Sequence, residues 1–139
     1  MGWVRSLLHG NTTPMALIPP KWFVDVEDVA RLFTIALLDS TVRSERVFAF
    51  GESVNWTEVI GILRQLEPEN PRIPNAREGE LRDHAEIVPR ARALDLLRQH
   101  YNQMGMTPIV TSITRCLLEG SPATRLQAGA EPCVKSAMH

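Results

Sequence analysis

The sequence lacks the features that mark secreted chains and chains embedded in a membrane. Its 139 residues include two cysteines, Cys116 and Cys133. Two are too few for a disulfide framework and are typical of a reduced protein. No apolar run approaches the roughly 18 residues that a membrane-spanning helix needs, and the first residues contain no long hydrophobic stretch of the signal-peptide kind. We therefore expect a cytoplasmic protein with no membrane partner.

An excess of charge of one sign is also lacking. The 15 basic and 16 acidic residues give a net charge of -1, and the arginines are scattered along the chain. This balance provides no electrostatic surface for DNA, RNA or anionic lipid, so we expect no nucleic-acid partner. The apolar fraction of 44% is that of an ordinary globular protein, and the length suits a single domain.

The order of the apolar segments predicts an α/β fold with a short parallel strand pair and about four helices. Strands are predicted over residues 21–24 and 46–50, the second being an apolar run that ends at Gly51. A helix between two strands favours a parallel pair. The apolar periodicity predicts helices over residues 25–38, 56–66, 89–101 and 108–119.

Three of these helices begin with residues that favour a helix start. Asp25 is a suitable cap for the first helix. Asn55 and Glu58 have the spacing of a capping box, in which each side chain accepts a hydrogen bond from the other residue's backbone. Thr107 followed by Pro108 predicts the start of the last helix.

The helix over residues 25–38 is unusually apolar. Its polar stripe is narrow and consists of Glu27, Arg31 and Thr34, with Asp28 beside it. A helix that is apolar on most sides is normally enclosed by a larger structure. We therefore expect this chain to expose apolar surface and to self-associate or need a partner.

Residues 22–38 (WFVDVEDVARLFTIALL), 45–68 (ERVFAFGESVNWTEVIGILRQLEP) and 91–120 (ARALDLLRQHYNQMGMTPIVTSITRCLLEG) resemble, as an ordered set, the NAD(P)-dependent epimerase/dehydratase family. These are extended short-chain dehydrogenases/reductases. The resemblance is to the carboxy-terminal, substrate-side third of the branch with dihydroflavonol, cinnamoyl-CoA and fungal aldehyde or ketone reductases. It implies that residues 1–120 are part of a Rossmann-type reductase without its nucleotide-binding half, followed by a disordered tail over residues 121–139.

In the family, as the resemblance implies, a glycine-rich turn binds the cofactor, and a tyrosine with a lysine four residues later protonates the carbonyl oxygen. The eight glycines here form neither G-x-x-G-x-x-G nor G-x-G-x-x-G. The only tyrosine is Tyr101, which is followed four residues later by Gly105. No catalytic or cofactor-binding residue therefore carries over. The resemblance implies NADP(H) for the family, and we expect none to bind to this chain alone.

Two tryptophans, Trp3 and Trp22, are the candidate substrate-lining residues. Both lie in segments that, by resemblance, approach the substrate pocket, and aromatic walls suit a hydrophobic carbonyl substrate. Packing in the core is the alternative role for each of them.

Other groups of reactive side chains have simpler structural explanations. Capping and exposure account for Asp25, Glu27 and Asp28 more simply than a metal site does. Residues 83–86 place Asp83 and His84 in a polar loop, and a single loop histidine is usually solvated. Cys116 lies on an apolar helical face and is interpreted as an inert core thiol. We predict no metal site.

Two functional hypotheses remain open. In the first, the chain is a fragment or subunit related to NADPH-dependent carbonyl (aldehyde or ketone) reductases, such as those of secondary metabolism, and supplies substrate contacts to a nucleotide-binding half. In the second, it is a non-catalytic remnant or binding module that docks on an intact reductase.

Overall fold

The computed structural model describes residues 2–119, with the backbone alone at residue 119. This part contains six helices and two strands, so the α/β class is confirmed and the estimate of about four helices was too low. In chain order the elements are α1 (Gly2–Leu8), α2 (Thr13–Leu17), β1 (Lys21–Phe23), α3 (Val26–Leu38), β2 (Glu52–Val54), α4 (Trp56–Leu66), α5 (Arg90–Tyr101) and α6 (Ile109–Glu119). None of these helices has the length and apolar character that crossing a membrane requires. The predicted tail over residues 121–139 lies outside the described residues.

The two strands are antiparallel, so the predicted parallel pair is wrong. Lys21 faces Val54 and Phe23 faces Glu52. The backbone N–H of Gly51 donates to the Phe23 carbonyl at 2.8 Å, and a Cβ on Gly51 would lie 2.6 Å from that oxygen. The absence of a side chain thus lets the chain meet the end of β1 here and run back along it. A partial Rossmann-type sheet, which requires parallel strands, is not supported by the described part.

The segment 46–50, predicted as a buried strand, is not part of the sheet. It nevertheless has the alternation of a strand, because Val47 and Ala49 pack inward while Phe48 and Phe50 contact each other on the other side. The segment was predicted as a strand, whereas the strand β2 lies directly after Gly51, at Glu52–Val54.

Buried apolar side chains form two clusters. The first core joins α1, α2, β2, α4 and α6, with Leu7, Ile60, Leu63 and Ile113 at its centre. The second core joins α3 to α5 and consists of Leu32, Ile35, Ala93, Leu96 and Leu97. The segment 46–50 contributes Val47 and Ala49 to the edge of the second core.

Helix α3 buries one face and exposes another apolar face. Asp25 caps the helix as predicted, accepting a hydrogen bond from the backbone N–H of Glu27 at 2.8 Å. On the opposite side from the second core, Val26, Phe33 and Leu37 are 82%, 67% and 82% exposed, with the exposed Ala30 between them. The expected exposure of apolar surface is therefore confirmed.

Helix α4 begins with the predicted capping box. Asn55 Oδ1 accepts from the Glu58 backbone N–H at 2.9 Å, and Glu58 Oε2 accepts from the Asn55 N–H at 3.3 Å. The helix then buries Trp56, Val59 and Ile60 in the first core.

Asn55→Ala is expected to lower the free energy of unfolding by about 1 kcal/mol, because it leaves a helix N–H without its acceptor. Glu58→Ala is expected to cost less, and the double variant should cost less than the sum of the two, since both belong to one motif. Urea denaturation of the three variants measures these values. Strict additivity would contradict the coupling, and a silent Asn55→Ala would contradict the cap.

Helix α6 does not use the predicted cap. Its first turn closes on the Pro108 carbonyl, to which the Thr111 N–H donates at 3.0 Å, and the Ile109 N–H donates to the carboxylate of Glu52 in β2. Thr107 instead bonds to Asp28 through its backbone and its hydroxyl group. The Thr107–Pro108 pattern was misleading because Thr107 and the Ile109 N–H both donate to carboxylates far away in the sequence, those of Asp28 and Glu52.

Candidate functional site

Strand β1 separates the two candidate tryptophans. Side chains alternate between the faces of a strand, so Lys21 and Trp22 point to opposite sides. Lys21 lines a small pocket with Trp3, whereas Trp22 contacts Phe50. The structure therefore places Trp3 and Trp22 in two different aromatic groups.

The first group surrounds Trp3. Its ring meets that of Trp56 edge-on, with centroids 5.2 Å apart, and Trp56 Nε1 donates to the Ile18 carbonyl at 2.7 Å. The adjoining pocket, lined also by residues 18–21, has a volume of about 20 Å³. This is room for about one water molecule, so the Trp3 group packs the first core and is closed to an organic substrate in this conformation.

The second group, here called the Trp22 cluster, comprises Trp22, Phe48, Phe50 and Arg90. The Trp22 and Phe50 rings are nearly perpendicular with centroids 6.1 Å apart, and Phe48 stacks on Phe50 at 6.4 Å. The Arg90 guanidinium lies over the Trp22 ring, 5.2 Å from its centroid, which is a cation–π contact. All four residues are half-buried, so the cluster reaches the surface.

The wall of the Trp22 cluster is fixed at both ends. Before it, Glu45 accepts hydrogen bonds from the Arg92 guanidinium of α5, the shortest at 2.8 Å, and these lower the pKa of Glu45. After it, Gly51 is bonded to Phe23 at the end of β1. The residues between these anchors are thereby held against α5 on one side and β1 on the other.

The Trp22 cluster also contains unpaired donors. Nε1 of Trp22 is buried and has no hydrogen-bond acceptor in the described part of the chain. Arg90 makes no ion pair with any described carboxylate, unlike the nearby Arg92. The cluster thus combines an apolar wall with two hydrogen-bond donors that lack an acceptor.

The acidic residues near the start of α3 are occupied by protein donors. Asp28 is fully buried and accepts from the Thr107 N–H at 2.6 Å, the Thr107 hydroxyl at 3.0 Å and Gln103 Nε2 at 2.8 Å. Asp25 accepts from the Ser112 hydroxyl, and Glu27 pairs with Arg31 and Arg115. These carboxylates therefore tie α3 to α6 and to the loop before it.

The remaining reactive side chains do not form a site with the predicted candidates. Asp83 accepts from the Ala85 N–H at 2.9 Å within its own loop. Cys116 is half-buried rather than fully buried, because α6 packs on the first core chiefly through Ile109 and Ile113. Among residues 2–119 no group of three or more His, Cys, Asp or Glu side chains is arranged to hold a metal.

One histidine–carboxylate pair was not predicted. His100 Nε2 lies 2.9 Å from Asp39 Oδ2 and links the end of α5 to the end of α3. Hydrogen bonds from the Thr41 hydroxyl and N–H, together with this histidine, lower the pKa of Asp39. Sequence alone gave no signal for this pair, because the two residues are 61 positions apart.

The amino ends of α3, α4 and α6 do not fit the pyrophosphate of a dinucleotide. Such a group needs free backbone N–H donors and close approach of the backbone. Here the donors are occupied by carboxylates: Asp25 at α3, Glu80 on the Thr57 N–H of α4, and Glu52 at α6. These negative groups would repel a phosphate, so these three helix ends provide no such cradle.

The residues of the Trp22 cluster other than Trp22 were missed from the sequence. Phe48 and Phe50 were interpreted as part of a buried strand, and Arg90 as a solvated helix residue. Their alternation with Val47 and Ala49 was the available signal, since it marks a second face of the same segment.

Comparison with known proteins gives relatives that are all longer than this chain. No family model matches the chain. Ketoreductase adrE of Penicillium roqueforti is 50% identical over 113 residues, which are 81% of this chain and 34% of that protein. Ketoreductase nvfG of Aspergillus novofumigatus is 37% identical over 118 residues, 85% of this chain and 34% of the relative. The NAD-dependent epimerase/dehydratase tndE of Aspergillus flavipes is 26% identical over 111 residues, 78% and 31% of the two chains. The chain spans about a third of the length of these relatives.

Proposed function

We propose that this chain supplies substrate contacts to a carbonyl reductase. The premise is that its homologues are named ketoreductases and an NAD-dependent epimerase/dehydratase. These names support the oxidoreductase family in general and imply a nucleotide cofactor for it. The finer proposal is that the chain corresponds to the carboxy-terminal, substrate-side portion of the reductase branch described above. In this proposal NADP(H) is held by a separate nucleotide-binding part, the substrate is a hydrophobic aldehyde or ketone, and the assembly works in the cytoplasm.

The observation that carries the proposal is the 50% identity with a ketoreductase over 81% of the chain. A likeness of that extent to a third of a ketoreductase is best explained if the chain retains the role of that third. The Trp22 cluster supports the substrate side of the proposal, because it offers an apolar wall with hydrogen-bond donors.

The segment 46–50 supports a partner polypeptide. It alternates like a strand, yet among residues 2–119 the backbone groups of Arg46, Val47 and Ala49 have no hydrogen-bond partner. An unpaired strand edge is a template for a further strand. We propose that the nucleotide-binding part pairs with this segment.

The chain alone is expected to show no saturable binding of NADPH with a dissociation constant below about 100 μM, which is roughly 5.5 kcal/mol of binding free energy. The physical reason is that carboxylates occupy the amino ends of α3, α4 and α6 and that the sequence has no glycine-rich turn. Calorimetric titration with up to millimolar NADPH measures this. Tight saturable binding would contradict the proposed division of labour.

A complementation experiment tests the proposal itself. A variant of ketoreductase adrE lacking the segment that matches this chain is mixed or co-expressed with it, and NADPH oxidation is followed with a hydrophobic ketone. We expect activity from the mixture and none from either part alone. Replacing Val47 with Pro, which is unable to donate in a ladder, should abolish this recovery. An inactive but stably associated mixture would favour the alternative, a non-catalytic module that docks on an intact reductase.

A further inference from the structure

The buried indole nitrogen of Trp22 requires a physical explanation. Buried N–H groups in folded proteins nearly always have an acceptor, and one without it is costly. The other two tryptophans differ from it: Trp56 Nε1 donates to the Ile18 carbonyl, and no buried unpartnered nitrogen is found at Trp3. Trp22 Nε1 is therefore the one buried tryptophan nitrogen without a partner among residues 2–119, and it lies within the aromatic cluster.

The surroundings of this nitrogen have the composition of a ligand site. Phe48 and Phe50 form an apolar wall that is only half-buried, and the Arg90 guanidinium covers the ring face. Arg90 has no carboxylate partner among the described side chains, unlike Arg92 two positions later, which pairs with Glu45. A single oxygen acceptor placed beside Trp22 therefore gains a hydrogen bond from the indole and lies close to an uncompensated positive charge.

We propose that the Trp22 cluster binds a planar, hydrophobic ketone, with Trp22 Nε1 donating a hydrogen bond to the carbonyl oxygen. The inference rests on the proposed function, which supplies the carbonyl class, and it assigns the oxygen contact to one atom. The ketone's apolar body packs against Phe48 and Phe50, and Arg90 moves off the Trp22 ring to admit it. Arg90 is able to move because its guanidinium is held by the ring contact rather than by an ion pair.

The wall of the site is set before the ligand arrives. Glu45 is bonded to Arg92 before the two phenylalanines, and Gly51 is bonded to Phe23 after them. A wall fixed at both ends loses little freedom on binding, which favours affinity. Arg90, which makes no ion pair among the described residues, is therefore the side chain that we propose to move when the ketone binds.

The experiment compares a ketone with its hydrocarbon counterpart. Acetylnaphthalene and ethylnaphthalene have similar shapes, but only the first carries an oxygen acceptor. Their affinities for the full chain, measured by ligand-observed NMR or calorimetry, are expected to differ by about tenfold in favour of the ketone, the effect of one buried hydrogen bond. In Trp22→Phe the aromatic wall remains but the donor is gone, and the two ligands are expected to bind equally.

Trp3→Phe is the matched control, because it changes a tryptophan outside the Trp22 cluster. It should keep the preference for the ketone. Equal binding of both ligands to the unmodified chain would overturn the proposal, as would a preference that survives in Trp22→Phe. If an ordered water rather than a ligand accepts the indole hydrogen bond, the two ligands will bind equally, and the proposal is overturned in the same way.

A second measurement removes dependence on the stability of the Trp22→Phe variant. The indole N–H signals of the three tryptophans are resolved by NMR on the unmodified chain and assigned with single replacements. The ketone is expected to move the Trp22 indole N–H signal downfield, as a new hydrogen bond does, whereas the bound hydrocarbon changes it through the ring current of its naphthalene alone. Equal shifts with the two ligands at saturation, or none with the ketone, would sink the proposal. The Val47→Pro arm of the complementation experiment tests association of the two parts rather than this contact. Recovered activity with an unshifted indole signal would therefore contradict the Trp22 contact alone, so failure of the two ideas can be told apart.

Discussion

Asp28→Ala is expected to lower the free energy of unfolding by about 3 kcal/mol, one of the largest effects of any single replacement in this chain. The carboxylate is fully buried and accepts three hydrogen bonds, two from Thr107 and one from Gln103. Its removal leaves these donors without an acceptor and opens a cavity between α3 and the loop before α6. Urea denaturation at neutral pH measures the change.

Glu27→Ala is the matched control for this prediction. It removes the neighbouring carboxylate of the same helix, whose partners Arg31 and Arg115 lie at the surface. An exposed ion pair contributes at most about 1 kcal/mol. Asp28→Asn keeps one acceptor oxygen, so its loss of unfolding free energy should fall between those of Asp28→Ala and Glu27→Ala. Equal losses from Asp28→Ala and Glu27→Ala would show that the buried network does not hold α3 in place.

Asp28 shows where prediction from the sequence stopped. Its position in the first turn of α3 was correctly predicted, and its charge does lie near the positive end of the helix. Its burial was not predicted, because the periodicity of a single helix gives no information about donors that come from residues 75 and 79 positions later. The network is tertiary, and its members are unremarkable in their own segments.

In the fold, too, local features were predicted from the sequence and contacts between distant segments were not. The starts of α3 and α4 follow from local capping chemistry, and both were correctly predicted from Asp25, Asn55 and Glu58. Strand pairing depends on which backbones meet, so the parallel pair predicted from the order of segments was wrong. The determining contact is between Gly51 and Phe23, and the significance of this glycine is visible only once β1 lies beside it.

The substrate-lining role of Trp3 and Trp22 stays a prediction. Trp22 does lie in an aromatic cluster that reaches the surface, but Trp3 packs with Trp56 around a space too small for a substrate. The composition of a segment indicates that aromatic side chains are present, whereas their partners depend on the fold. An unpaired donor such as Trp22 Nε1 is a property of the folded chain alone.

The exposed apolar stripe on α3, formed by Val26, Ala30, Phe33 and Leu37, is expected to make the isolated chain dimerise. These residues recur at intervals of four, three and four, so they form one seam along the helix. When two copies of α3 pack antiparallel about their midpoint, the small Ala30 of one copy lies opposite the large Phe33 of the other. Val26 then lies opposite Leu37, so we propose a second copy of this chain as the occupant of the stripe.

The expected dimer is weak. The dimer brings together six large side chains, three from each copy, and each gains about 1–2 kcal/mol when it is buried. Association costs several kcal/mol in lost motion. A dissociation constant on the order of 100 μM follows from that balance. Sedimentation and light scattering across a concentration series should show the mass rising from 15.6 kDa towards twice that value.

Replacing Phe33 and Leu37 together with Gln is expected to leave a monomer over the whole concentration range. Both side chains point away from the second core, so the melting of the diluted protein should change little. The matched control replaces Leu81 and Val88, which are also exposed, at 74% and 68%, but lie in the loop before α5. That control should still dimerise, because scattered exposed apolar residues do not form a seam. An unmodified chain that stays monomeric at millimolar concentration, or a control that loses association equally, would show that the stripe of α3 is not the contact.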